Sequence, residues 1–268
     1  MELDFGKKEG IDGVDITIKT CKSALSKSGL ESDYALNPYT GCTHGCKYCY
    51  APFVLNEDRE WGTFVDVKRN FPKVLADELN KIKDNTVRMG SVTDPYQEIE
   101  GQYRITRMCL EQLKRKDIPT IIQTKSDLVT RDIDILKNMD IDVGFTITSL
   151  DDEFRKKFEP NSPSFSKRLS AVKKLMENDI DVWVFIGPLL PYFNDKDEEL
   201  IRLSETLDSL GVDEIYLDKL NMRKGIWDKL KNILSDKVYS KYKKIYSGDK
   251  KYFEDRKKFY KKIGKIVF

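Results

Sequence analysis

After Thr40 the chain alternates short apolar, β-branched runs with longer stretches in which apolar residues return every three or four positions. This is the pattern of strands followed by amphipathic helices. It predicts strands at residues 86–92, 118–124, 141–149, 180–188 and 212–217, with an earlier one near 34–37. Helical periodicity covers residues 72–83, 104–116, 130–138, 166–177 and 196–209. Such alternation defines an α/β fold with a parallel sheet. A closed eight-unit barrel takes about 250 residues, mostly in its repeats. The expectation for these six strands is therefore a partial (β/α)6 barrel over residues 31–222, with an N-terminal extension at 1–30 and a C-terminal segment at 223–268. Residues 1–30, with Gly6, Gly10, Gly13 and Gly29, read as an irregular extension or an edge strand. The chemistry of such a sheet belongs on the loops after the strands' C-terminal ends.

The loop after the first strand is the most informative. Cys42, Cys46 and Cys49 stand with three and then two residues between them, and Gly41 and Gly45 let the chain curl so that the sulfurs converge. Thiolates suit iron–sulfur clusters or zinc. A cubane cluster takes four cysteines, so three leave one iron open, as a catalytic site does and a structural site does not. His44, the only histidine, keeps a structural zinc site as the alternative. Such a site normally draws its last two ligands from a second pair, whereas Cys21 and Cys109 are single and distant. Five cysteines, three of them crowded together, do not form a secreted disulfide framework and point to a reducing compartment.

At these residues the sequence resembles the radical S-adenosylmethionine (SAM) superfamily, whose hallmark is this spacing with an aromatic residue before the third cysteine, here Tyr48. The string NPYTGCTHGCKYCYAP, followed by SVTDPYQ and QTKS, resembles the branch related to spore photoproduct lyase, often labelled DNA repair photolyase-like. The likeness implies a 4Fe–4S cluster, SAM chelated at its open iron, a reductant such as ferredoxin or flavodoxin, and a 5′-deoxyadenosyl radical that takes a hydrogen atom from the substrate. It further implies a role in hydrogen-atom transfer for Tyr48 and Tyr50, and pairing of Lys125 with the cofactor carboxylate. That branch also uses a donor cysteine. Here Cys109 falls on an apolar helix face with Ile105, Met108 and Leu113, so no donor is recognised and the substrate stays open.

Other candidates lie at strand ends. Thr93 and Asp94 precede a turn at Pro95, where Asp94 either meets the cofactor ammonium or closes an Asx-turn. Arg168 offers a second cation for the cofactor, or pairs with Glu159. Thr146, Thr148 and Ser149 end the 141–149 strand, with the two threonines on one face, either toward ribose hydroxyls or as ordinary strand formers. Gly187 either lets the backbone approach the adenine or ends a strand.

Charge adds one asymmetry to a net formal charge of +2: residues 235–268 carry twelve Lys or Arg against four Asp or Glu. Interleaved with these are Tyr239, Tyr242, Tyr246, Tyr252, Phe253, Phe259 and Tyr260. The segment reads either as a nucleic-acid surface or as an amphipathic helix docking its aromatic face. No run is apolar enough to span a membrane, and a cytoplasmic location is expected. Three functions are in competition: a radical enzyme acting on nucleic acid, the same chemistry on a peptide or small metabolite, and a non-catalytic zinc or iron–sulfur module.

Overall fold

A computed structural model describes residues 11, 13–83, 85–223, 225–247 and 251–268. Its strands are β1 (Asp15–Lys19), β2 (Leu25–Lys27), β3 (Tyr34–Leu36), β4 (Tyr39–Thr40), β5 (Phe64–Lys68), β6 (Val87–Met89), β7 (Thr120–Thr124), β8 (Ile141–Thr146), β9 (Asp181–Leu189), β10 (Glu214–Lys219) and β11 (Lys265–Ile266). The helices are α1 (Ala51–Leu55), α2 (Phe71–Leu79), α3 (Glu100–Tyr103), α4 (Ile105–Arg115), α5 (Ile133–Leu136), α6 (Asp152–Phe158), α7 (Phe165–Met176), α8 (Asp197–Ser209), α9 (Ile226–Lys231), α10 (Asp236–Ser247) and α11 (Lys251–Ile263).

The main sheet runs β11-β10-β9-β8-β7-β6-β3-β2, with every neighbouring pair from β3 to β11 parallel and only β2 antiparallel at its edge. The six expected strands are therefore six consecutive neighbours. β2 pairs with β3 across the 30/31 boundary read from sequence, and β11 extends the sheet from within the 223–268 segment. A second sheet, β1-β5-β4, packs the extension against the cysteine loop's far side; β5, unforeseen in the sequence, is its central strand.

Alternation along the strands separates two faces. On one, Val87, Met89, Ile122, Val143, Phe145, Val184, Ile186 and Leu217 are fully buried in the core. Each such side chain withdrawn from water contributes about 1.5–3 kcal/mol. On the other, Ile121, Gln123, Trp183, Phe185 and Tyr216 remain half-buried, and this open face leads up to the functional edge. Because the strands are parallel, the loops after β3, β6, β7, β8 and β9 emerge on that same edge.

The C-terminal helices bury the aromatic side of the basic segment. Tyr242 and Tyr260 are fully buried and Phe253 nearly so. The Tyr242 hydroxyl donates to the Pro191 carbonyl at 2.9 Å, and Arg256 pairs with Asp197 at 2.6 Å. The aromatic face is thus spent on docking against the loop after β9. Lys237, Lys241, Lys243 and Lys244 stay in solvent.

Candidate functional site

Gly41 and Gly45 both adopt positive φ, +90° and +58°. A Cβ on Gly41 would lie 2.3 Å from the Phe64 carbonyl oxygen, so the close approach of the loop to β5 requires glycine. The turn after α6 holds the other side, with Asn161 donating to the Thr43 carbonyl at 3.0 Å and the Lys47 N–H donating to the Phe158 carbonyl at 2.9 Å. Cys42 and Cys46 are buried and Cys49 is half-buried. Burial pushes the Cys46 thiol up to about 12, and nearby Glu159 and Cys49 push the same way against Lys125. Burial likewise raises Cys42 and Cys49, while backbone N–H groups of Asp94 and Ala51 favour the respective thiolates. These are thiols that a cationic centre would deprotonate, and their donor set fits an iron–sulfur cluster. Among the described residues, no three His, Cys, Asp or Glu side chains converge as a single ion would require. His44 sits with Nδ1 3.4 Å from Asp94 Oδ2.

Asp94 and Thr93 both hold protein partners. Asp94 Oδ1 accepts from the Tyr96 N–H at 2.9 Å and the Thr124 hydroxyl at 2.7 Å, and Oδ2 accepts from the Lys125 N–H at 2.8 Å. The bond to Tyr96 closes an Asx-turn, and the carboxylate clamps the loops after β6 and β7 together. Thr93 donates to the Gly41 carbonyl at 2.6 Å, bracing the cysteine loop. Gln97, fully buried, completes this brace from both Thr43 and Gly41.

Glu159 organises the next layer. It is fully buried and accepts hydrogen bonds from the Tyr48 hydroxyl, the Thr148 hydroxyl at 2.8 Å, the Ser162 hydroxyl and the Arg168 guanidinium. Although burial alone would raise its carboxyl, Arg168 and Lys125 hold it down at about 2. Arg168, also fully buried, spends its remaining contacts on the Thr146 and Pro163 carbonyls and Ser162. Arg168 and Thr148 thus both hold Glu159. Tyr48 donates its hydroxyl to the same carboxylate. Its ring remains in place under Lys125, whose Nζ lies 5.8 Å from the centroid. Lys125 itself makes no side-chain hydrogen bond or ion pair among the described residues; Cys46 and Glu159 raise its pKa against the lowering effect of burial.

Tyr50, by contrast, is 36% exposed and donates to the Ser91 carbonyl at 2.5 Å, at the tip of β6. Thr146 accepts from Gln123 at 3.3 Å on the open sheet face, and Ser149 caps the following turn through the Asp151 N–H. A Cβ on Gly187 would meet the Phe185 ring at 2.3 Å, so this glycine makes room for a phenyl ring of its own strand. Cys109 is buried in the core, as expected from its helix face, and Cys21 is half-buried beside Asn70. Sequence patterning gives little sign of Gln97, Asn161 or the centrality of Glu159; the polar Glu159-Pro-Asn-Ser162 run, directly after Phe158 at the end of α6, is the available signal.

Residues 36–204 match the radical SAM superfamily. The chain belongs to that superfamily and is an enzyme of it. Membership implies SAM and a 4Fe–4S cluster. The chain is 40% identical over 161 residues to an uncharacterized protein of Methanocaldococcus jannaschii, covering 59% of this chain and 61% of that one. An uncharacterized protein of Mycobacterium tuberculosis is 30% identical over 227 residues, 79% of this chain and 67% of that one. Among solved structures, spore photoproduct lyase complexed with dinucleoside spore photoproduct superposes with a TM-score of 0.66 at 18% identity, over 81% of this chain and 65% of the lyase. Streptococcus suis SuiB bound to S-adenosylmethionine superposes at 0.51 and 13%, over 87% of this chain and 47% of SuiB. No described helix is long and apolar enough to cross a membrane.

Proposed function

We propose that Cys42, Cys46 and Cys49 hold a 4Fe–4S cluster with one open iron, that Lys125 receives the SAM carboxylate, and that the substrate is a nucleic acid or one of its components. The observation that carries this reading is the unpaired Lys125 ammonium beside a three-cysteine loop at the functional edge of a parallel sheet. The open sheet is read here as a partial (β/α)6 barrel, whose interior is the half-buried face. The chemistry supplied when both groups are bound is reductive cleavage of SAM to a 5′-deoxyadenosyl radical that takes a hydrogen atom from the substrate.

The chain's own residues orient and insulate. Gln97 and Thr93 fix the cysteine loop, Asp94 fixes the Lys125 loop, and Glu159 fixes Tyr48 against Lys125. Tyr50, free of that carboxylate and partly exposed, is assigned the hydrogen-atom relay. Support for a nucleic-acid substrate comes from the solved lyase complex, whose ligand is a dinucleoside photoproduct. The basic C-terminal helices lend less support, because their aromatic rings are buried. A cytoplasmic setting with a ferredoxin- or flavodoxin-type donor suits an oxygen-sensitive cluster. The test is anaerobic reconstitution followed by dithionite and SAM: formation of 5′-deoxyadenosine supports the reading, and none from an iron-loaded sample overturns it.

A further inference from the structure

Arg88 occupies the middle of β6 on the open face of the sheet, in register with Ile121 of β7 and, beyond it, Asp142 of β8. Only 9% of its surface is exposed, and its Nε is buried with no hydrogen-bond partner. Among the described residues its guanidinium forms no hydrogen bond or ion pair; Glu31 and Asp142 act on it only through longer-range attraction, which opposes the lowering of its pKa by burial. Arg168, the other deeply buried arginine at this end of the sheet, is by contrast met by a carboxylate and a carbonyl. Leaving a buried cation without a partner costs free energy unless something else neutralises it.

What lies beside Arg88 is aromatic. Its guanidinium carbon is 5.8 Å from the Trp183 ring centroid. That indole lies against β8 where Gly144 has no side chain, since a Cβ there would come within 2.2 Å of the ring. Tyr216 packs edge-on to Trp183 at 5.6 Å and 87°. Trp183 and Tyr216 are both half-buried, and Arg88 acts electrostatically on Tyr50. The face therefore runs from the aromatic pair, past the cation, to the tyrosine at the functional edge.

We propose that Arg88 binds an anionic group of the substrate while Trp183 and Tyr216 take the planar ring carried beside it, the chemistry of a nucleotide phosphate. A carboxylate on a planar ring shares that chemistry and is the source to be excluded. The inference rests on the reading of this face as the substrate's, and it is tested by binding, so its failure and a failure of SAM cleavage are seen separately.

The experiment uses reconstituted protein saturated with SAM and equilibrium dialysis of three probes: thymidine 5′-monophosphate, thymidine and orotate. Wild type is expected to hold the monophosphate about tenfold or more tighter than thymidine, Arg88→Gln to abolish that difference, and Arg88→Lys to keep part of it. Because no hydrogen bond or ion pair is lost, Arg88→Gln is expected not to lower the thermal midpoint. Equal binding of monophosphate and thymidine by wild type, unchanged monophosphate binding by Arg88→Gln, or a lowered midpoint with unchanged binding would each overturn the proposal. Tighter Arg88-dependent binding of orotate than of the monophosphate would overturn the assignment to phosphate.

Discussion

Gln97 and Thr43 are joined by a 2.9 Å hydrogen bond from the Thr43 backbone N–H to the Gln97 side-chain carbonyl, and the same amide donates back to the Gly41 carbonyl at 3.1 Å. A single buried side chain, 54 residues beyond the loop it holds, thus fixes the backbone on both sides of Cys42.

Replacing Gln97 with Ala leaves the Thr43 N–H buried and unmet, at a cost of about 1–3 kcal/mol, and leaves the Gly41 carbonyl with Thr93 as its remaining donor. The expected outcome is a lower iron-to-protein ratio after reconstitution together with a lower thermal midpoint. Gln97→Glu keeps the acceptor and loses the donor, and is expected to fall between. Iron loading equal to wild type in Gln97→Ala would contradict the bracing role.

The Glu159–Arg168 pair predicts strong non-additivity. Removing one partner leaves an uncompensated buried charge, so Glu159→Gln and Arg168→Met are each expected to cost about 3–5 kcal/mol in chemical denaturation. The double variant Glu159→Leu with Arg168→Met is expected to be closer to wild type than either single change, because both desolvation penalties vanish together. Simple addition of the two losses would show that the pair is not coupled.

The pH dependence follows from the same carboxylate. Glu159 is held at about 2 in the folded chain against an ordinary 4.5. A depressed folded pKa stabilises fully above the unfolded value and is lost as pH falls through the folded one. Cluster-free wild type is therefore expected to lose stability relative to Glu159→Gln between about pH 4.5 and about pH 2. Denaturation curves that run parallel for the two proteins across that window would refute the assignment.

Lys125→Met is expected to leave cluster content unchanged, since Lys125 holds no part of the cysteine loop through its side chain, and to weaken SAM binding about tenfold or more. Equilibrium dialysis of SAM against the reconstituted variant checks this. Unaltered affinity would remove Lys125 from the cofactor site.

Much of the sheet was legible because the β6–β10 runs are bounded by turn residues and flanked by helical periodicity. Strand β6 is shorter than its apolar run because the chain turns at Gly90 with φ +95°. Helix α6 escaped notice because only Phe154 and Phe158 mark its buried side, and β5 because its partner β1 lies about fifty residues earlier. The cysteine loop was readable from spacing. What spacing does not carry is which polar groups hold distant protein partners: Asp94 and Thr93 meet partners 30 to 52 residues away, and those bonds brace the loops around the cysteines. Arg88 went unremarked for the same reason, as an isolated arginine in a strand gives no sign that it lacks a partner.

The central claim is that three cysteines of one loop support radical chemistry at an open iron. Its most direct measurement is 5′-deoxyadenosine released from SAM under dithionite by anaerobically reconstituted protein, with iron and labile sulfide assayed in parallel. Wild type is predicted to release it, and Cys42→Ala, Cys46→Ala and Cys49→Ala each to release none while holding less iron. A fully iron-loaded wild type that releases none, or a cysteine variant that matches wild type, would contradict the account.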